Sequence, residues 1–167
     1  GLDGKYSQMQ VDNLTGPRGL NVIQGLMFIP GDWIHEIHIS KGAGTVTQGH
    51  ESMTGQINVA LKNVETADPL HVNLYANGAG RLEWNHVSRH KMSRRWSTAI
   101  LTHALRNNQL NDRNRDGFLD SPLKRHYIGR NEFKFIGDRG VRGEYAVNWI
   151  HSRVAAGQRT AYGDNLP

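Results

Sequence analysis

Cysteine is absent from the 167-residue chain, which excludes a disulfide scaffold and thiolate-ligated metals. Long apolar runs are missing too. The mean hydropathy is −0.60 and 37% of residues are hydrophobic, and stretches such as residues 26–29 fall far short of the roughly 20 apolar residues a membrane-spanning helix needs. A helical membrane span is excluded. Residues 1–20 carry no basic n-region, apolar h-region or small-residue cleavage site, so any export signal has been removed or lies outside this chain. Runs of one charge sign are equally scarce. The net charge is +5 with a pI near 9.7, yet no five like charges follow one another, and the densest basic group, residues 89–95, sits between two alternating segments. That placement predicts a turn rather than a nucleic-acid-binding helix.

The chain is rich in glycine, and its charge is unevenly distributed. Ten of the 19 glycines fall within residues 1–66, which hold four basic residues (Lys5, Arg18, Lys41 and Lys62) against six acidic ones. Residues 67–167 hold 16 basic against nine acidic residues. Opposite net charges predict two units with different tasks, bounded at 1–66 and 67–167. In the first, residues 8–11 and 56–61 read as short strands, and Ile37 and Ile39 alternate with Glu36, His38 and Ser40 as in a half-buried strand. Residues 15–19 form a breaker-rich exposed loop, residues 30–34 a tight turn or short helix, and residues 51–54 a helical turn. The first unit reads as irregular α/β.

Beyond Pro69 the two-residue period lengthens. Val72, Leu74 and Ala76 share one face, Leu82 and Trp84 open a second stretch, and residues 96–105 form a third. Tyr127, Phe133 and Phe135 mark a fourth, and Tyr145, Val147 and Trp149 a fifth. Each is about the 9–11 residues with which a tilted strand crosses a bilayer. A soluble β-sandwich shows the same period. The connections favour the barrel: those near residues 78–81, 92–95 and 138–141 are short, whereas residues 107–123 are long and polar, and outer-membrane barrels pair short periplasmic turns with longer outer loops.

The most specific local signal is Asp112-Arg113-Asn114-Arg115-Asp116-Gly117-Phe118-Leu119-Asp120. Oxygen donors at every second residue of a glycine-turned loop suit calcium, with side chains of Asp112, Asn114, Asp116 and Asp120 and the carbonyl of Phe118 as candidate ligands. Leu123 stands at the twelfth position, so this is not an EF-hand. A solvated Asx-rich turn fits the same residues. Residues 41–49 lack the Gly-Lys-Ser/Thr ending of a phosphate loop, His35 and His38 point to opposite faces of a strand, and no G-x-S-x-G elbow occurs. No catalytic centre emerges, and the chain does not read as an enzyme.

Two longer segments are more telling. Phe28-Ile29-Pro30-Gly31-Asp32-Trp33-Ile34 leads to Lys41-Gly42-Ala43-Gly44, and then comes Gly49-His50-Glu51-Ser52-Met53-Thr54-Gly55-Gln56-Ile57-Asn58-Val59. In order and spacing this resembles the end of the plug domain of TonB-dependent outer-membrane receptors. Gly1-Leu2-Asp3-Gly4-Lys5-Tyr6-Ser7-Gln8 is similar to the middle of such plugs in Bacteroidetes-type members, and the loop at 112–120 to a calcium-binding outer loop of the cobalamin-transporting branch. The resemblance implies a mainly β chain: the C-terminal part of an α/β plug, then the first strands, about five, of an antiparallel transmembrane barrel of about 22. The resemblance therefore implies a fragment of a longer receptor. The resemblance further implies active transport of cobalamin, a siderophore or another metal complex across the Gram-negative outer membrane. TonB and its inner-membrane motor would act through the plug part absent from this chain. Outer-membrane lipid and a small-molecule ligand are the other expected partners, nucleic acid is not, and calcium is the expected cofactor. Plug loops touch substrate in this family, which points to Arg18, Asn21 and Gln24. A soluble calcium-binding β-rich adhesion or carbohydrate-binding module is the competing expectation, and it leaves residues 41–59 unaccounted for.

Overall fold

A computed structural model describes residues 7–15, 25–42 and 55–159. The protein is mainly β, and its chain divides into two compact units, Gly1–Thr66 and Ala67–Pro167.

The first unit is built on a four-stranded sheet of order β2-β1-β4-β3, from β1 (Ser7–Val11), β2 (Leu14–Thr15), β3 (Ile34–Lys41) and β4 (Gly55–Leu61). β1 and β2 form a tight hairpin because Asp12 and Asn13 accept positive φ, 51° and 60°, as a two-residue turn of the favoured twist requires. β1 runs parallel to β4, and β3 antiparallel to it. Met9, Trp33, Val59 and Leu61 are buried. So is a ladder of amides: Gln8 pairs with Gln56 and Gln10 with Asn58, and Gln56 Nε2 donates to Gln10 Oε1.

Two expectations for this unit need correction. Among the described residues it contains no α-helix, only the 3-10 turns Gly25–Phe28 and Gly31–Trp33, because glycine and proline interrupt every run before a 3.6-residue period can develop. Ile37 and Ile39 do lie on a strand, but β3 is an edge with little cover, and they are 49% and 71% exposed. The turn expected at residues 51–54 lies outside the described residues.

The second unit is an up-and-down antiparallel meander: β5 (Leu70–Ala76), β6 (Arg81–Lys91), β7 (Trp96–Asn107), β8 (Leu123–Ile136) and β9 (Arg142–Ala155), each paired with its sequence neighbour. Three of the four connections are short turns. In the first, Asn77 Oδ1 accepts from the N–H groups of Ala79 (3.0 Å) and Arg81 (3.1 Å). Ser93 Oγ accepts from Trp96 N (3.1 Å) in the second, and Arg139 and Gly140 turn the third at φ 60° and 78°. Arg95 pairs with Asp138, tying the second and third turns together. Only the β7–β8 connection, residues 108–122, is long.

Candidate functional site

Pairing sorts the side chains of the meander into two faces, since directly opposed residues point the same way. One face carries Leu74, Trp84, Tyr127, Trp96, Tyr145, Val147 and Trp149, all between 38% and 76% exposed. Its rings cluster in two rungs. Toward the turn at 92–95, Trp96 meets Phe135 and Phe133 stacks on Tyr145, each pair with centroids 4.9 Å apart. At the opposite end Trp84, Ala104 and Tyr127 lie in one register row, and Tyr127 approaches His151 at 6.2 Å. Thr98, opposite Phe133 in the first rung, is buried, its Oγ1 within 2.7 Å of Asn131 Oδ1 and 2.8 Å of the Glu132 carbonyl oxygen.

The other face is buried and heavily polar. Asn85, His103, His126, Arg130 and Glu132 are only 1–9% exposed, alongside Val87, Leu101 and Ile128. Two networks run across it. Arg81 grips Glu83 Oε2 through NH2 (2.5 Å) and Nε (3.0 Å), Asn85 Nδ2 donates to Glu83 Oε1 (3.3 Å), and His103 Nδ1 lies 2.6 Å from Asn85 Oδ1. Further along, Arg130 donates to Glu132 Oε2 (3.2 Å) and to Asn148 Oδ1 (3.3 Å). These groups form no nucleophile–base pair. Their chemistry is hydrogen bonding and charge, suited to holding water or a polar ligand.

The five expected calcium donors share one loop, where their side-chain oxygens cap backbone N–H groups. Asp112 accepts from Asp116 N and Gly117 N (both 3.2 Å), Asp116 Oδ1 from Phe118 N (2.8 Å), and Asp120 Oδ2 from Arg113 N (2.7 Å). Asn114 Nδ2 donates to Asp116 Oδ2 at 2.9 Å. Gly117 permits this turn at φ 84°. Phe118 bridges to Gln158, and Leu119 N donates to Gly157 O (3.0 Å), so the loop is fastened to the chain just beyond β9. Among the described residues, no group of three or more His, Cys, Asp or Glu side chains is placed to share a metal ion. Arg18, Asn21 and Gln24 lie outside the described residues.

Sequence reasoning passed over two features. The buried networks had a signal in the polar residues spaced two apart, Glu83 with Asn85 and Arg130 with Glu132. A row of three arginines had none. Arg106 pairs with Arg125, and Arg125 with Arg153, next to a shallow cavity of about 470 Å³ on the exposed face.

Comparison with protein-family models and with curated proteins finds no match to this chain.

Proposed function

We propose that the chain is part of a TonB-dependent outer-membrane receptor, with residues 1–66 belonging to the plug and residues 67–167 to the wall of the transmembrane barrel. Its activity is energised transport of a scarce ligand, cobalamin, a siderophore or another metal complex.

The observation that carries this reading is the inverted amphipathicity of the meander. A sheet packed in water buries its apolar face and solvates its polar one. Here Trp84, Trp96, Tyr145, Val147 and Trp149 face outward, while Arg130, Glu132, His103 and His126 are buried. Burying charges costs several kcal/mol per ion unless they are paired, and large exposed apolar patches are unfavourable in water. Both become ordinary in a barrel wall whose outside meets lipid and whose inside is polar. The dimensions agree. From Ala104 to Trp96 is eight residues of β7, about 27 Å of strand, or roughly 20 Å of height at the usual tilt, against an apolar band of about 25 Å between aromatic girdles. The long connection 108–122 and the short turns at 92–95 and 137–141 fall at opposite ends, as outer loops and periplasmic turns do, with residues 77–80 an unusually short outer loop.

A soluble adhesion module would have to leave the aromatic face in water, which weighs against it. Tryptophan fluorescence separates the two readings. With Trp33, Trp84 and Trp96 replaced by Phe, Trp149 emission from the full chain reconstituted in bilayers with brominated acyl chains is expected to fall by more than half. Unchanged emission, with a cooperative monomer in plain buffer, would favour the soluble module. For transport, cells bearing the receptor should accumulate labelled cyanocobalamin or a ferric siderophore only while the proton gradient stands. Uptake that survives its dissipation would exclude a TonB-driven step.

A further inference from the structure

From the register of the exposed face we infer that Arg106, Arg125 and Arg153, together with the cleft beside them, form a binding site for an acylated, phosphate-bearing lipid. The inference rests on reading this face as lipid-facing.

The arginine row poses an electrostatic problem that needs a counter-charge. Arg106 stands opposite Arg125, and Arg125 opposite Arg153, on three consecutive strands. Directly opposed residues hold their Cβ atoms about 4.5–5.5 Å apart, and like charges so placed are destabilising. None of the three forms an ion pair within the described residues. With its amide oxygen turned toward Arg106, Asn108 accepts from Nε (2.6 Å) and NH2 (2.7 Å), but a neutral amide orients the guanidinium without neutralising it. The nearest acid along the strands, Glu83, points to the opposite face and is held by Arg81. No carboxylate of the described residues is within ion-pairing distance of the row, and planar guanidinium groups bind phosphate oxygens in pairs.

What adjoins the row decides which phosphate. One register step inward, Trp84 and Tyr127 flank Ala104, whose small side chain leaves a gap between the two rings. Leu74 and Leu82 complete the sides of the cleft, and Arg106 stands at its margin. An acyl chain lying along the gap would place its headgroup phosphate among the arginines. A nucleic acid or a free phosphate would satisfy the charges and leave the apolar cleft in water. The row also lies at the end of the sheet next to residues 108–122, where an outward-facing loop would put it at headgroup depth.

The test is native mass spectrometry of the full chain in a neutral detergent, titrated with diphosphorylated lipid A and with inorganic pyrophosphate. The wild-type chain is expected to retain lipid A, and the triple variant R106Q/R125Q/R153Q to lose at least tenfold in affinity. The Lys triple variant, which keeps the charge but not the paired donors, should recover part of it. Ala104→Phe, which fills the cleft and leaves the charges, should weaken lipid A by several-fold and leave pyrophosphate unaffected. Undiminished lipid A binding by the Gln triple variant would overturn the proposal. So would a lipid A affinity indifferent to Ala104→Phe, which would reduce the site to an anion patch. Trp149 quenching by brominated lipid in the same preparations keeps the two readings apart: quenching without arginine-dependent lipid binding sinks this site alone, and no quenching sinks the membrane face itself.

Discussion

Trp149 covers Gly129. The two are direct partners across β8 and β9, and a Cβ built on Gly129 would stand 2.0 Å from Nε1 and 2.2 Å from Cε2 of the indole. A strand glycine leaves a gap in the side-chain layer, and a cross-strand aromatic closes it. Gly129→Ala is therefore expected to destabilise by about 1–3 kcal/mol as the ring is driven off its seat. In the background of Trp149→Ala the sign should reverse, because alanine in an uncrowded strand outperforms glycine by about 0.5–1 kcal/mol. Urea unfolding of the four chains in lipid or detergent gives the double-mutant cycle directly.

Arg130 and Glu132, 3.2 Å apart and nearly inaccessible, share the buried face with Asn148. Glu132→Gln breaks the buried pair by removing one partner, at an expected cost of about 3–5 kcal/mol. Replacing both, as Arg130→Met with Glu132→Leu, should cost clearly less, since it removes the desolvation penalty along with the attraction. A denaturation midpoint for the double variant at or below that of Glu132→Gln would contradict this account.

In the first unit Asn58 and Asn13 bond reciprocally: Asn58 Oδ1 accepts from Asn13 N (3.0 Å), and Asn58 Nδ2 donates to Asn13 Oδ1 (2.9 Å). The pair fixes the β1–β2 turn onto β4. Asn58→Ala leaves part-buried groups unsatisfied, with an expected loss of about 1–3 kcal/mol, and should speed exchange of the Asn13 amide. Asn13→Gly keeps the backbone bond and tolerates the positive φ, so its effect should be smaller.

The loop at 112–120 supplies its own order through Asx turns. Chelating calcium is accordingly expected to leave amide exchange at Asp116, Gly117 and Phe118 unchanged, whereas Asp112→Ala should accelerate it at the first two. Protection that collapses on chelation and returns with calcium would assign these carboxylates to an ion.

The strands were most legible where they alternate: Val72, Leu74 and Ala76, or Tyr145, Val147 and Trp149, announce a shared face without any tertiary information, whereas residues 96–105 alternate more weakly. Alternation does not say which face is turned outward. That depends on what lies beyond the sheet, so the burial of Arg130 and Glu132 opposite an exposed Trp149 had to be seen. Register was likewise hidden. Arg106, Arg125 and Arg153 are separated by many residues and a long loop, and a slip of one residue in either pairing would move an arginine to the other face. The loop at 112–120 was legible as a turn, because Asp, Asn and Gly at alternate positions favour Asx geometry, but spacing alone does not distinguish N–H groups from a cation as what those oxygens hold.

β9 ends the meander, and no strand among the described residues pairs with its outer edge. Along 14 residues, about seven N–H and seven C=O groups point away from β8. Such an edge is a template, and the length of β9 dictates the length of whatever strand zips onto it. In concentrated solution it would accept the edge of another copy, which makes the 167-residue chain prone to edge-to-edge self-association that rises with concentration.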